Sequence, residues 1–199
     1  MFTGIVEGTG EVITLEELSE AWRLTLETGE IASDLAIGDS LAINGCCLTV
    51  VARDGSRLAF DLLEETLRLT SLKQAVPGLA VNLERALAAD GRLGGHFVSG
   101  HIDGLGEILE FETRGKNAYL RVSAPPQFLP YIVYKGSVSI DGISLTIAEE
   151  HTNGLAVWLI PHTVNVTNLR ERHVGDYVNL EFDLLAKYAE KILRGERDG

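Results

Sequence analysis

Apolar and polar positions alternate along most of this chain in short runs, the period of half-buried strands. Residues 40–43 and 47–51 flank Asn44-Gly45, and residues 135–140 and 144–148 flank Asp141-Gly142. Asn-Gly and Asp-Gly between β-rich runs are strong hairpin signals, because both turn positions can adopt positive φ. Residues 58–62 and 155–160 read as further strands, and 66–72 and 163–169 as short helices. The tail differs. Across 183–195, Leu184, Leu185, Tyr188 and Ile192 share a helical face closed by Arg194 and Gly195. That stripe has two equally good partners, its own domain or another subunit.

The pattern repeats. Residues 3–12 lie over 99–108, residues 44–50 over 141–147, and residues 78–84 over 175–181. The offset moves by a single residue across three separated blocks, which identifies two homologous domains, 1–96 and 97–193. The second includes the tail helix from about 184, with 194–199 as a tail. The first block starts at Thr3, so residues near 1 are expected to be domain rather than leader. A short glycine-rich linker, 87–95, precedes the second copy. Many short strands in about 95 residues predict an all-β unit, a small closed or nearly closed barrel.

Composition narrows the function. Among 199 residues, 17 Lys and Arg against 29 Asp and Glu give a net charge of −12. That excludes a general nucleic-acid surface and electrostatic docking on an anionic membrane. No apolar run approaches the roughly 20 residues of a membrane helix, and the N-terminus has no secretory pattern. Cys46 and Cys47 are adjacent, a poor disulfide geometry, and a reducing cytoplasm fits them best. The chain lacks a P-loop and a G-x-S-x-G elbow. His96 and His101 share no helix or strand face and have no partners at ligand spacing, so no metal is expected. His151 and His173 read as surface-loop residues.

The two copies keep the same polar punctuation: Gly4 and Gly100, Leu48 and Leu145, Thr49 and Thr146, Thr66 and Thr163. Threonines at barrel rims beside backbone amides suit a neutral polyhydroxylated heterocycle, one per copy. The plainer alternative is that these residues make turns and ladder contacts only.

Five motifs in order carry a resemblance. MFTGIV at 1–6, NGCCLTV at 44–50, GGHFVSGHIDG at 94–104, YKG at 134–136 and IDGISLT at 140–146 resemble the riboflavin synthase alpha-chain family. The resemblance runs from residue 1 through the tail helix. It implies two six-stranded Greek-key barrels plus a C-terminal helix, assembled as a homotrimer with sites between subunits. It implies that two molecules of 6,7-dimethyl-8-ribityllumazine dismutate to riboflavin and 5-amino-6-ribitylaminouracil by four-carbon transfer, without metal or organic cofactor. Lumazine synthase is a further partner it raises.

By this match the N-terminal pocket uses Gly4, Ile5, Val6, Cys47, Leu48, Thr49, Asp61, Leu62, Leu63, Glu64, Glu65 and Thr66. The C-terminal pocket uses Gly100, His101, Ile102, Lys135, Ser144, Leu145, Thr146, Trp158, Leu159, Ile160, Pro161, His162 and Thr163. His101 and Thr146 are expected in proton transfer, and Ser144 or Cys47 as nucleophile or its positioner. The matched positions differ, with Ile5 opposite His101 and Cys47 opposite Ser144, as unequal donor and acceptor roles would require. His162, opposite Glu65, would touch ligand through its backbone. Cys46 and Cys47 alternate along a strand, so one should face the core. The rival functions are a non-catalytic lumazine- or flavin-binding protein of the same fold and a barrel interaction module. Both copies keep their motifs, which favours the enzyme.

Overall fold

The computed structural model describes residues 1–195; the remaining residues of the expected tail lie outside them. Twelve strands form two closed antiparallel barrels. The first contains β1 (Gly8–Glu17), β2 (Trp22–Glu27), β3 (Ser40–Ile43), β4 (Cys46–Asp54), β5 (Arg57–Leu62) and β6 (Ala80–Arg85). Its order is β1-β2-β5-β4-β3-β6, closed by β6 on β1. The second contains β7 (Gly104–Arg114), β8 (Asn117–Ser123), β9 (Ser137–Ile140), β10 (Ile143–His151), β11 (Gly154–Leu159) and β12 (Tyr177–Phe182), with the matching order.

The alternation read from sequence is the alternation of the walls. On β4, Cys46, Leu48 and Val50 enter the first core, whereas Cys47 and Thr49 face outward. Both hairpins form as expected, with φ of 46° and 78° at Asn44 and Gly45 and of 46° and 82° at Asp141 and Gly142. The two turns abut. A Cβ on either glycine would stand 2.7 Å from the backbone nitrogen of the other.

Around this contact a buried polar network joins the barrels. Asn82 Nδ2 donates to the Asp141 carbonyl at 2.9 Å and Asn179 Nδ2 to the Asn44 carbonyl at 2.8 Å. The Ser71 amide donates to Asn179 Oδ1, and the Asn168 amide to Asn82 Oδ1. Two members break the symmetry: Ser71 stands opposite Asn168, and where the first copy has Asn44 the second has fully buried Asp141, with Arg172 Nη2 at 3.3 Å. Burial pushes the Asp141 carboxyl up, against the pull of Arg172.

The two expected short helices start earlier and break. α1 (Glu64–Leu69) and α2 (Pro161–Val166) end before extended Thr70 and Thr167, and separate 3-10 turns follow at Ser71–Gln74 and Asn168–Glu171. The cause is the threonine hydroxyl. Thr70 Oγ1 donates to the Thr66 carbonyl and accepts from the Leu72 amide, and Thr167 repeats this with Thr163 and Leu169. Such local bonds compete with a continuing helical ladder. His151, expected in a loop, ends β10 half-buried, 3.4 Å from Glu149.

α3 (Leu184–Gly195) meets its own barrel through Lys187, 2.6 Å from Asp103, and through a Tyr131–Glu190 hydrogen bond. Its apolar side chains Leu185, Tyr188, Ile192 and Leu193 remain 59–64% exposed. No helix among the described residues is long and apolar enough to cross a membrane.

Candidate functional site

The segments that lead into the two barrels cross. Phe2 and Val98 pair antiparallel, with the Phe2 amide donating at 2.7 Å and the Val98 amide at 3.2 Å. Fully buried Phe2 packs with Val98, Ala42 and Cys47 between the barrels. Beyond this bridge each segment lies on the other repeat's barrel. The Ser144 amide donates to the Gly4 carbonyl at 2.7 Å, and the Cys47 amide to the Gly100 carbonyl at 2.9 Å. Val6 packs on the second core and Ile102 on the first.

Only glycine fits at the two contact points. Gly4 has φ of 76°, and a Cβ there would lie 2.6 Å from Ser144 Cβ; Gly100 has φ of 85°, and its Cβ would lie 2.5 Å from Cys47 Cβ. Backbone therefore runs flush against the residue expected to do chemistry on each barrel.

The sequence grouping needs correction on this point. Gly4, Ile5 and Val6 were expected with Cys47, and Gly100, His101 and Ile102 with Ser144. The structure exchanges the two sets. On the first barrel a cleft of about 320 Å³ is lined by Cys47, Glu65, Thr66, Gly100, His101 and Ile102. On the second, Gly4 and Ile5 lead past Ser144. Proximity along the chain misleads because both contacts span the two repeats.

Other predicted residues fall into four groups. Leu48, Leu62 and Leu159 are core side chains, so they offer a ligand only backbone; strand alternation turns them inward. Leu145 is half-buried against the second core. Thr49 and Thr146 stand on outer faces, paired across the ladder with Ser40 and Ser137. Leu63, Glu64, Glu65, Ile160, Pro161 and His162 are exposed where β5 and β11 pass into α1 and α2, and Thr66 and Thr163 are half-buried there.

Three side chains break the symmetry. Asp61 is held by Arg23 in a two-pronged ion pair at 2.8 and 3.0 Å, which lowers its carboxyl below the usual value. Its counterpart Trp158 is exposed and edge-on to Tyr119, ring centres 5.1 Å apart. Lys135 carries φ of 65° where the first copy has Gly38. Its amide donates to the Ile147 carbonyl, next to Thr146.

His96, to which the sequence assigns no role, sits beside Ser144. Its Nδ1 lies 2.7 Å from Ser144 Oγ, and its amide donates to the Thr3 carbonyl at 3.1 Å. Burial pushes the imidazole down, with Asp183 acting in the opposite sense. A neutral imidazole hydrogen-bonded to a hydroxyl can take that hydroxyl's proton. The available signal was that His96 precedes the second block and has no partner in the first copy.

A cleft of about 590 Å³ runs between the first barrel and the linker past Thr3, Ile5 and Gly94. Its wall includes Arg85, ion-paired with Glu7 at 2.6 Å and Asp34 at 2.5 Å. Of the predicted pocket residues it includes Ile5 alone.

The lumazine binding domain family matches the chain twice, over residues 3–86 and 99–183. Riboflavin synthase of Mycobacterium tuberculosis (strain H37Rv) is 45% identical over 199 residues, spanning 98% of both chains. Riboflavin synthase of Bacillus subtilis is 42% identical over 193 residues, 97% of this chain and 90% of the relative. Among solved structures, LumP complexed with riboflavin superposes with a TM-score of 0.84 at 25% identity, covering 92% of this chain and 99% of that one. With two matched repeats, two closed barrels and relatives alike over nearly the full length, the chain belongs to the riboflavin synthase family.

Proposed function

We propose that this chain is a riboflavin synthase. It takes two molecules of 6,7-dimethyl-8-ribityllumazine, moves a four-carbon unit from one to the other, and releases riboflavin and 5-amino-6-ribitylaminouracil. The observation that carries the reading is the matched pair of crossings: both barrels hold a polar residue, Cys47 or Ser144, against the backbone of an incoming segment. Two similar but unequal sites suit two identical substrates with unequal fates.

The reaction needs proximity, proton removal and addition. Holding two ring systems in reacting geometry can supply about 7–11 kcal/mol of the barrier. One lumazine loses a proton from its C7 methyl, and hydrogen-bond donors stabilise the resulting anion. A nucleophile adds at C7 of the other. His101, exposed at the mouth of the first-barrel cleft, and Thr146 on the second barrel serve proton transfer. Ser144, with His96 at 2.7 Å, or Cys47 adds to C7 or positions the group that does.

In this reading the chain works in the cytoplasm as a homotrimer, the first barrel of one subunit facing the second barrel of the next. The uncovered apolar side chains of α3 support that assembly. The test is incubation with 6,7-dimethyl-8-ribityllumazine alone. One riboflavin formed per two lumazines consumed is the expected result. Stoichiometric binding without turnover overturns the enzyme in favour of a lumazine carrier.

A further inference from the structure

Two buried carboxylates have no part in the site as described above. Glu84 on β6 is 6% exposed and Glu181 on β12 is 2% exposed. The third repeated block ends on them, 84 over 181. Each gathers three donors from one crossing segment. Glu84 accepts from the Thr3 amide at 2.7 Å, Thr3 Oγ1 at 2.8 Å and the Gly4 amide at 3.0 Å. Glu181 accepts from the Ser99 amide at 2.6 Å, Ser99 Oγ at 2.7 Å and the Gly100 amide at 2.9 Å.

The bonds continue outward. Thr3 Oγ1 accepts from the Ile5 amide at 3.2 Å, and Ser99 Oγ accepts from the His101 amide at 3.3 Å. Gly4 then meets Ser144, and Gly100 meets Cys47. The Thr3 carbonyl also holds the amide of His96. Burying a carboxylate is costly unless its oxygens are satisfied, and apolar residues can hold a barrel without that cost. What an anion adds is the ability to draw two amides and a hydroxyl of one tight turn to a single point.

Each carboxylate belongs to one barrel, and the segment it holds lies on the other. We propose that Glu84 and Glu181 are positioning residues that act crosswise. Glu84 of the first barrel sets the His96–Ser144 site on the second, and Glu181 of the second barrel sets the Cys47–His101 site on the first. Neither barrel completes its own site. The catalytic consequence rests on the two-site reading above; the placement itself does not.

The test uses the full chain and two reporters that need no turnover. Cys47 is half-buried, while burial pushes the Cys46 thiol up to about 12, so a small aromatic disulfide reagent reports Cys47. The proton resonance of the His96 ring reports the Ser144 site. Glu181→Gln raises Cys47 labelling about tenfold, the effect of losing one charge-assisted hydrogen bond, and leaves the His96 titration in place. Glu84→Gln moves the His96 titration up toward the ordinary histidine value and leaves Cys47 labelling unchanged. Reporters that move on the same barrel as the substitution, that move together, or that do not move overturn the proposal. If a glutamine variant does not fold, Ser99→Ala and Thr3→Val remove only the hydroxyl and must show the same crossed pattern. A chain that binds lumazine without turnover yet shows the crossed pattern refutes the dismutation and leaves the positioning intact.

Discussion

His96 Nδ1 lies 2.7 Å from Ser144 Oγ, and the two residues come from the segment that directly follows the linker and from the second barrel. A base that owes its place to that segment depends on how the repeats are joined. His96→Gln keeps a polar group of similar size and removes the titrating nitrogen. The expected result is a fall in kcat of about 100-fold, the lower end for one positioned proton-transfer group. KM should change little if the imidazole acts only on the proton. Steady-state kinetics on the two proteins decide this.

The same residue sets a pH dependence. Burial lowers the His96 pKa in the folded chain from its ordinary 6.5. Between that value and the lowered one, the unfolded chain binds more protons than the folded chain, so stability falls as pH drops through this window. Wild type should lose more stability on acidification below 6.5 than His96→Gln does. Urea titrations of both across that range measure the difference, and parallel curves would remove His96 as the cause.

Gly100 and Gly55 separate local strain from the site. Both have positive φ, 85° and 60°. A Cβ at Gly55 meets nothing within 4 Å, whereas one at Gly100 meets Cys47 Cβ at 2.5 Å and Phe2 Cε2 at 3.0 Å. Gly55→Ala should cost about 1–2 kcal/mol of stability, the left-handed strain alone, and leave turnover as it was. Gly100→Ala carries the same strain and also pushes the crossing segment off Cys47. It should lose turnover as well as stability. Equal effects of the two substitutions would show that the close approach does not matter.

The buried ion pair between the barrels has an internal control. The first copy holds Asn44 where the second holds Asp141, and Ala75 where it holds Arg172. Asp141→Asn leaves a guanidinium that is 10% exposed without its charged partner. That should cost about 3 kcal/mol, as for other buried pairs broken on one side. Asp141→Asn with Arg172→Ala recreates the first copy's solution and should recover most of the loss. Denaturant melts of the single and double variants test it, and no recovery would mean that the surrounding asparagines require the charge.

The strands, hairpins and duplication were legible because each rests on short-range rules. Asn44-Gly45 and Asp141-Gly142 make hairpins wherever they sit between apolar alternations, and the repeat offset needs no third dimension. What escaped rests on contacts between distant parts of the chain. Aligning the copies pairs Gly4 with Gly100, but says nothing about which barrel each will touch. The crossing shows in the bonds from Ser144 to Gly4 and from Cys47 to Gly100, and in the packing of Val6 and Ile102 on the opposite cores. The broken helices escaped for a local reason, since the Thr70 hydroxyl outcompetes a ladder that its neighbours would otherwise continue. Glu84 and Glu181 were in plain view as a repeated acid. Nothing in their place at the end of a strand block marks them as buried, yet the fold buries both.

The exposed face of α3 carries the last prediction. Leu185, Tyr188, Ile192 and Leu193 leave their apolar surface uncovered in the single chain, while Lys187 and Glu190 anchor the helix to its own barrel. Burying such side chains contributes roughly 1.5–3 kcal/mol each. Four of them from each of three chains would therefore hold a trimer firmly at micromolar concentration. Tyr188→Glu with Ile192→Glu sets like charges into that contact without touching the barrel anchors. Sedimentation should show the wild-type chain as a trimer and the double variant as a monomer with an unchanged barrel spectrum. If the proposed sites form between subunits, the monomer must also lose turnover. A monomer that keeps full turnover would place both substrates within one chain, and the crossing segments would then have to bring the two sites together alone.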